Sequence, residues 1–142
     1  MRLTTLVLVT ALCGGRERCG RGDEARAVLA RQVTDISAGA ESYAQERPAL
    51  SGAQLLAVLL ADPDLGPQVR ELGRYQVKLL ARGGHVVVLL CCEDGSRALL
   101  EDSACTPAVD RDESAAPGRA CGFSIDPVAA CARVSPAAIR GR

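Results

Sequence analysis

The clearest strand pattern in the chain lies at residues 74–102, RYQVKLLARGGHVVVLLCCEDGSRALLED, where two apolar runs flank Gly83-Gly84 and a third follows Asp94-Gly95. Both glycine-containing dipeptides supply the positive φ that tight hairpin turns need, so the stretch predicts a three-stranded antiparallel meander. Residues 86–90 are apolar without a break and end in Cys91 and Cys92, the pattern of a strand covered on both faces. A two-residue turn at Gly83-Gly84 sets Ala81 opposite Val86, Leu79 opposite Val88, Val77 opposite Leu90 and Tyr75 opposite Cys92, all on one wholly apolar face. The other face then carries Gln76, Lys78, Leu80, Arg82, His85, Val87, Leu89 and Cys91, a mixture suited to partial cover or to water. The third strand, residues 97–102, has a less secure register, because a turn that includes Ser96 would exchange its faces.

Upstream, the period changes from two to three and four. Val28, Leu29, Val33, Ile36, Ala40 and Tyr43 form one stripe of a helix that Asp23 can cap, Glu24 suits electrostatically and Pro48 ends. Gly39 weakens its second half by about 1 kcal/mol relative to Ala. Ser51 followed by Gln54 has the form of a capping box, and Leu55, Leu56, Val58, Leu59 and Leu60 predict a short helix that is apolar nearly all round and therefore buried. Asp62-Pro63-Asp64 breaks it, and residues 67–72 read as a helical connector between Pro67 and Gly73. Beyond Asp102, residues 106–120 are rich in Pro, Asp, Ser, Ala and Gly without an apolar period and predict an exposed loop. Asp126-Pro127 then opens a short helix carrying Val128 and Cys131, and residues 132–142 form a loose tail.

Composition sharpens this picture at three points. Aromatic residues are limited to two Tyr and one Phe, so Leu, Val and Ala must build the core of a 142-residue chain. Each such residue buried contributes roughly 1.5–3 kcal/mol, and a thin core of this kind needs reinforcement. The 17 basic and 17 acidic residues balance and are not gathered into blocks, which argues against nucleic acid as a partner. The preference for Arg over Lys, with abundant Ala and Gly, fits a GC-rich bacterial genome.

The amino terminus has the layout of a secretory signal: Arg2, ten mostly apolar residues at 3–12, then Cys13-Gly14-Gly15. Residues 1–15 are read as that signal and residues 16–131 as one small disulfide-bonded domain; a short buried strand or helix is the alternative for the leader. An apolar run of this length is too short to span a bilayer. Leu12 before Cys13 does not favour a lipid anchor. Removing Cys13 with the signal leaves Cys19, Cys91, Cys92, Cys105, Cys121 and Cys131, an even set suited to structural disulfides in an oxidising compartment. Because neighbouring strand residues point to opposite faces, Cys91 and Cys92 should each find a separate partner. The preferred scheme ties them to two of the three C-terminal cysteines and leaves the third for Cys19.

Chemistry is sparsely signalled. There is no C-x-x-C, G-x-S-x-G, phosphate loop or H-E-x-x-H, and His85, the single histidine, reads as a polar residue that starts a strand. Glu93-Asp94 and Glu101-Asp102 read as turn residues and a solvated strand end rather than as an acid pair. No residue is assigned a catalytic, cofactor-binding or metal-ligating role, and no cofactor is expected. The expectation is an α+β domain, with N-terminal helices packed on the three-stranded meander and a disulfide-tethered C-terminal loop and short helix. Its function is expected to be non-enzymatic: a periplasmic or secreted binding or structural component of the bacterial envelope, with another envelope protein docking on the mixed sheet face if the C-terminal segment leaves that face uncovered. A thiol-disulfide or metal-handling protein using Cys91-Cys92 is the main alternative, and a small hydrolase built around His85 a weaker one.

Overall fold

The computed structural model describes residue 19 and residues 23–111 and 120–132. The expected signal with its Cys13, and the tail past residue 132, lie outside the described residues. Helix α1 spans Asp23–Glu46 and buries Leu29, Val33, Ile36, Ala40 and Ala44 at steps of three and four. Val28, expected in that stripe, is exposed instead. The side chains of Asp23 and Glu24, the residues expected to serve the start of this helix, lie outside the described residues. Helix α2, Gly52–Ala61, carries the capping box: the Gln54 amide donates to Ser51 Oγ at 3.2 Å, and the Ser51 amide donates to Gln54 Oε1 at 2.9 Å. It buries Leu55 and Leu59 but leaves Leu60 exposed, so it is covered on one side rather than all round.

Helix α3, Leu65–Glu71, starts two residues earlier than Pro67. The reason is Asp62, whose Oδ1 accepts from the amides of Asp64 and Leu65, both at 2.8 Å. The same carboxylate accepts from the Tyr43 hydroxyl of α1. One side chain thus caps α3 and fixes the α2–α3 corner against α1.

The meander follows as β1 (Gln76–Arg82), β2 (His85–Cys91) and β3 (Ala98–Ser103), and a two-residue β4 (Val109–Asp110) extends the sheet in the order β1-β2-β3-β4. Gly83 and Gly84 have φ of 60° and 78°. The register they impose pairs Ala81 with Val86, Leu79 with Val88 and Val77 with Leu90, as the parity of the sequence predicts. Between β2 and β3 the pairing starts at Cys91 with Ala98 and then shifts to Leu90 with Leu100. The extra residue, Leu99, joins Leu100 in the main core. The shift also sets Asp102 opposite Val88, on the α1 side, and Glu101 opposite Leu89, on the other side. Residues 106–120 were expected to form an exposed loop; in part they do not, since Val109–Asp110 pairs with β3 and Arg111 is buried.

The sheet is covered twice. Helices α1 and α2 lie over the face carrying Val86, Val88, Leu90 and Cys92. Helix α4, Pro127–Ala132, packs across β2 and β1 on the opposite face. Its first turn is held by Asp126, whose Oδ1 accepts from the Ala129 amide at 2.9 Å. Val87, Leu89 and Cys91 are as completely buried as their neighbours on the α1 side. The mixed face is therefore covered by the chain itself over β2. A partner expected there meets the C-terminal segment, and among the residues of that face only Lys78 and Arg82 are exposed.

Two outcomes test this packing. A Cβ built on Gly52 falls 1.9 Å from the backbone oxygen of Leu79, so Gly52→Ala should lower the free energy of unfolding by roughly 1–3 kcal/mol in urea denaturation, despite alanine's better helix propensity. The Asp62 carboxyl is held below its usual range, first by the Tyr43 hydroxyl and then by the Leu65 and Asp64 amides. A carboxyl depressed in the folded state adds stability above its ordinary pKa, about 3.9, and that contribution disappears as pH falls through the lower folded value. Asp62→Asn should therefore flatten the acid limb of a stability-versus-pH curve while leaving the neutral-pH fold intact. An unchanged acid limb would show that Asp62 is not a source of it.

Candidate functional site

Polar and charged side chains are concentrated in two places on the sheet. The first is the joint between β3 and the C-terminal segment. Glu101 is completely buried and accepts from the Ser124 amide at 2.7 Å, the Ser124 hydroxyl at 2.7 Å and the Ile125 amide at 2.8 Å. Its remaining partner is Arg111, also buried, whose guanidinium donates to Oε2 and, at 3.3 Å, to the Gly122 carbonyl. Arg111 is brought there by its own amide, which donates to Leu99 O at 2.8 Å next to the strand bulge. The expectation of a solvated strand end at Glu101-Asp102 is thus overturned. Asp102 is equally buried on the opposite face and accepts from the Ser37 hydroxyl of α1. The two acids point to opposite sides of the sheet, and each fastens one cover to it.

The second concentration lies at the end of the sheet where β2 begins. Glu41, on the buried face of α1, takes the Val86 amide on Oε2 at 2.7 Å and meets Nδ1 of His85 with Oε1 at 2.5 Å. Its side chain is nine-tenths buried and that of His85 about one-third exposed. Cys131 of α4 places its Sγ 3.9 Å from the same Oε1. Cys131 is bonded to Cys105, which sits just past β3 in a turn closed by the Thr106 amide on Ser103 O at 3.0 Å. One donor atom from each of Glu41, His85, Cys105 and Cys131 lies within 4.8 Å of the others.

All six cysteines expected in bridges are paired: Cys19 with Cys92, Cys91 with Cys121 and Cys105 with Cys131. Cys91 and Cys92 leave the strand in opposite directions, Cys92 into the main core under α1 and Cys91 into a small cluster with Leu89, Ala98 and Cys121. The preferred pairing scheme differs from this in one respect. Cys92 bonds to Cys19 rather than to a C-terminal cysteine, because the face it points to is the one the N-terminal region covers. That frees Cys105 and Cys131 to bond to each other. Glu41 was not singled out in the sequence, although Ser37 and Glu41 lie four residues apart along the apolar stripe of α1, where polar side chains need buried partners.

Comparison with protein-family models, with curated proteins and with solved structures finds no match to this chain. Among the described residues, no helix is long and apolar enough to cross a membrane.

The Glu101–Arg111 joint makes a direct prediction. Glu101→Ala leaves Arg111 buried without its charge partner and should cost about 3–5 kcal/mol of stability, whereas replacing both residues by Leu should cost clearly less. Limited proteolysis should show the segment after residue 111 opening first in the single variant. Equal losses in the two variants would mean that the charge pairing is not what holds the segment.

Proposed function

We propose that this chain is an exported, disulfide-stabilised, non-enzymatic domain, periplasmic or secreted, that serves as a binding or structural component of a bacterial envelope. The observation that carries the reading is the use of the six cysteines: each bridge holds a peripheral segment to the sheet or to the segment covering it. Bridges of this kind persist in oxidising compartments, and each contributes about 2–4 kcal/mol, a large share of the stability of a small domain. The buried carboxylates support the same reading, because their observed bonds join chain segments: Glu101 to Arg111 and residues 124–125, Asp102 to α1, and Glu41 to the start of β2. A signal-like leader at residues 1–15 agrees with export.

A thiol-disulfide or metal-handling role remains the second reading, and one observation moves its location. Cys91 and Cys92 sit in separate bridges on opposite faces, whereas Cys105–Cys131 is the bridge with a carboxylate and an imidazole beside it. Mass spectrometry of protein recovered from the outside of the cytoplasmic membrane separates the two readings. The expected result is an amino terminus near residue 16 and no free thiol. Two reactive thiols, at Cys91 and Cys92 or at Cys105 and Cys131, or an intact leader on a cytoplasmic protein, would overturn the proposal.

A further inference from the structure

We infer that Glu41, His85, Cys105 and Cys131 form a redox-gated binding site for a zinc-type divalent cation, closed when Cys105 and Cys131 are bonded and available when they are thiols. The inference goes beyond the proposed role and does not depend on it. Four properties carry it. The donor set, two thiolates, one imidazole and one carboxylate, is one that zinc accepts in tetrahedral geometry. The donors come from four separate parts of the fold, α1, β2, the turn after β3, and α4, yet one atom from each lies within 4.8 Å of the rest. Around zinc, with bonds of about 2.0–2.3 Å, such atoms stand roughly 3.3–3.8 Å apart, so small movements suffice once the sulfurs are released. Finally, the carboxylate is already oriented: the Val86 amide holds Oε2 and leaves Oε1 facing His85 and Cys131, the kind of second bond that fixes a ligand in metal sites.

The gate follows from electron counting. In the disulfide each sulfur has given up its thiolate character and is a poor ligand, so the bridge excludes the metal. A dithiol reductant supplies two electrons and two protons, the S–S bond breaks, Cys105 and Cys131 become thiols, and the reductant leaves as its own disulfide. Binding of Zn2+ then releases both thiol protons to solvent, with Glu41 as carboxylate and His85 as neutral imidazole. In either state α4 stays attached to the turn after β3, by a covalent bond in one and by the metal in the other. Cys105 and His85 are both partly exposed, which gives the reductant and the cation a route in.

The test uses the full chain, reduced with a phosphine that does not itself bind zinc strongly, then loaded with Zn2+, freed of excess metal and assayed for bound metal. One equivalent is expected in the reduced protein and none in the oxidised protein. Co2+ in place of Zn2+ should give thiolate-to-metal charge-transfer absorption and the strong visible bands of a tetrahedral ion. His85→Ala, which removes a partly exposed side chain, should weaken metal binding by at least about tenfold, the lower range for disturbing a metal-ligand shell. In the loaded protein, Cys105 and Cys131 should be protected from alkylation while Cys19, Cys91, Cys92 and Cys121 are not. No metal uptake by the reduced chain, whether or not it stays folded, overturns the inference. So does uptake that is undiminished in Cys105→Ala/Cys131→Ala, or protection that falls on the other cysteines instead.

Discussion

A strand closed to water on both faces must be covered twice, and the described residues supply ample apolar material for only one of the covers. The β2 run from Val86 to Cys91 is completely buried, and on the α1 side the second cover is conventional: Leu29, Val33, Ile36 and Ala40 from α1, with Leu55 and Leu59 from α2, fill the space against it. On the other side the described part of the covering helix offers Pro127, Ala130 and Cys131 as its buried residues, while Phe123 and Val128 remain substantially exposed. Apolar burial alone would hold such a segment weakly. The fold replaces it with directed bonds: the amides and hydroxyl around Glu101, the Arg111 guanidinium, and the Cys91–Cys121 and Cys105–Cys131 bridges.

That substitution explains why a carboxylate lies at the centre of a sheet. Burying Glu101 would be costly if its oxygens had no partners, and here the observed partners come from two places, Arg111 and residues 124–125. The charge therefore works as a registration device, since its bonds to Ser124 and Ile125 fix where the C-terminal segment lies on the sheet. The bulge at Leu99 is what makes this possible. Without the one-residue shift, Glu101 would turn toward the apolar underside of α1 and Asp102 toward the C-terminal cover.

The parts of the architecture legible in the sequence were those decided locally. Gly83-Gly84 fixes a turn, the turn fixes parity, and parity fixes which residues of β1 and β2 share a face; the Ser51–Gln54 capping box is equally local. The opposed directions of Cys91 and Cys92 follow from the same pleat. What was not legible was decided at a distance. Nothing near Glu101 announces that Arg111 and Ser124 will return to it, so an acidic pair at a strand end reads as solvated. Glu41 lies on an apolar stripe with His85 far off in sequence, and the choice of Cys19 as the partner of Cys92 depends on which segment covers which face. The bulge belongs to this second group too, because it is stabilised by what it allows the two covers to do.

The adjacency of Cys91 and Cys92 has a consequence for how the molecule comes to be made. In the unfolded chain both thiols are almost equally distant from Cys19, which lies 73 residues before Cys92, and loop entropy cannot tell them apart. Only the pleat of β2, once paired with β1, sends one sulfur under α1 and the other to the opposite face. Oxidation that runs ahead of hairpin formation will therefore scramble at this position, and the error is small in sequence but complete in space, because it fastens the N-terminal region to the wrong side of the sheet. Correct assembly requires the β1–β2 hairpin to form before its cysteines are sealed, or an isomerase to reopen the premature bond, so the maturation of this protein is a race between strand pairing and the oxidant.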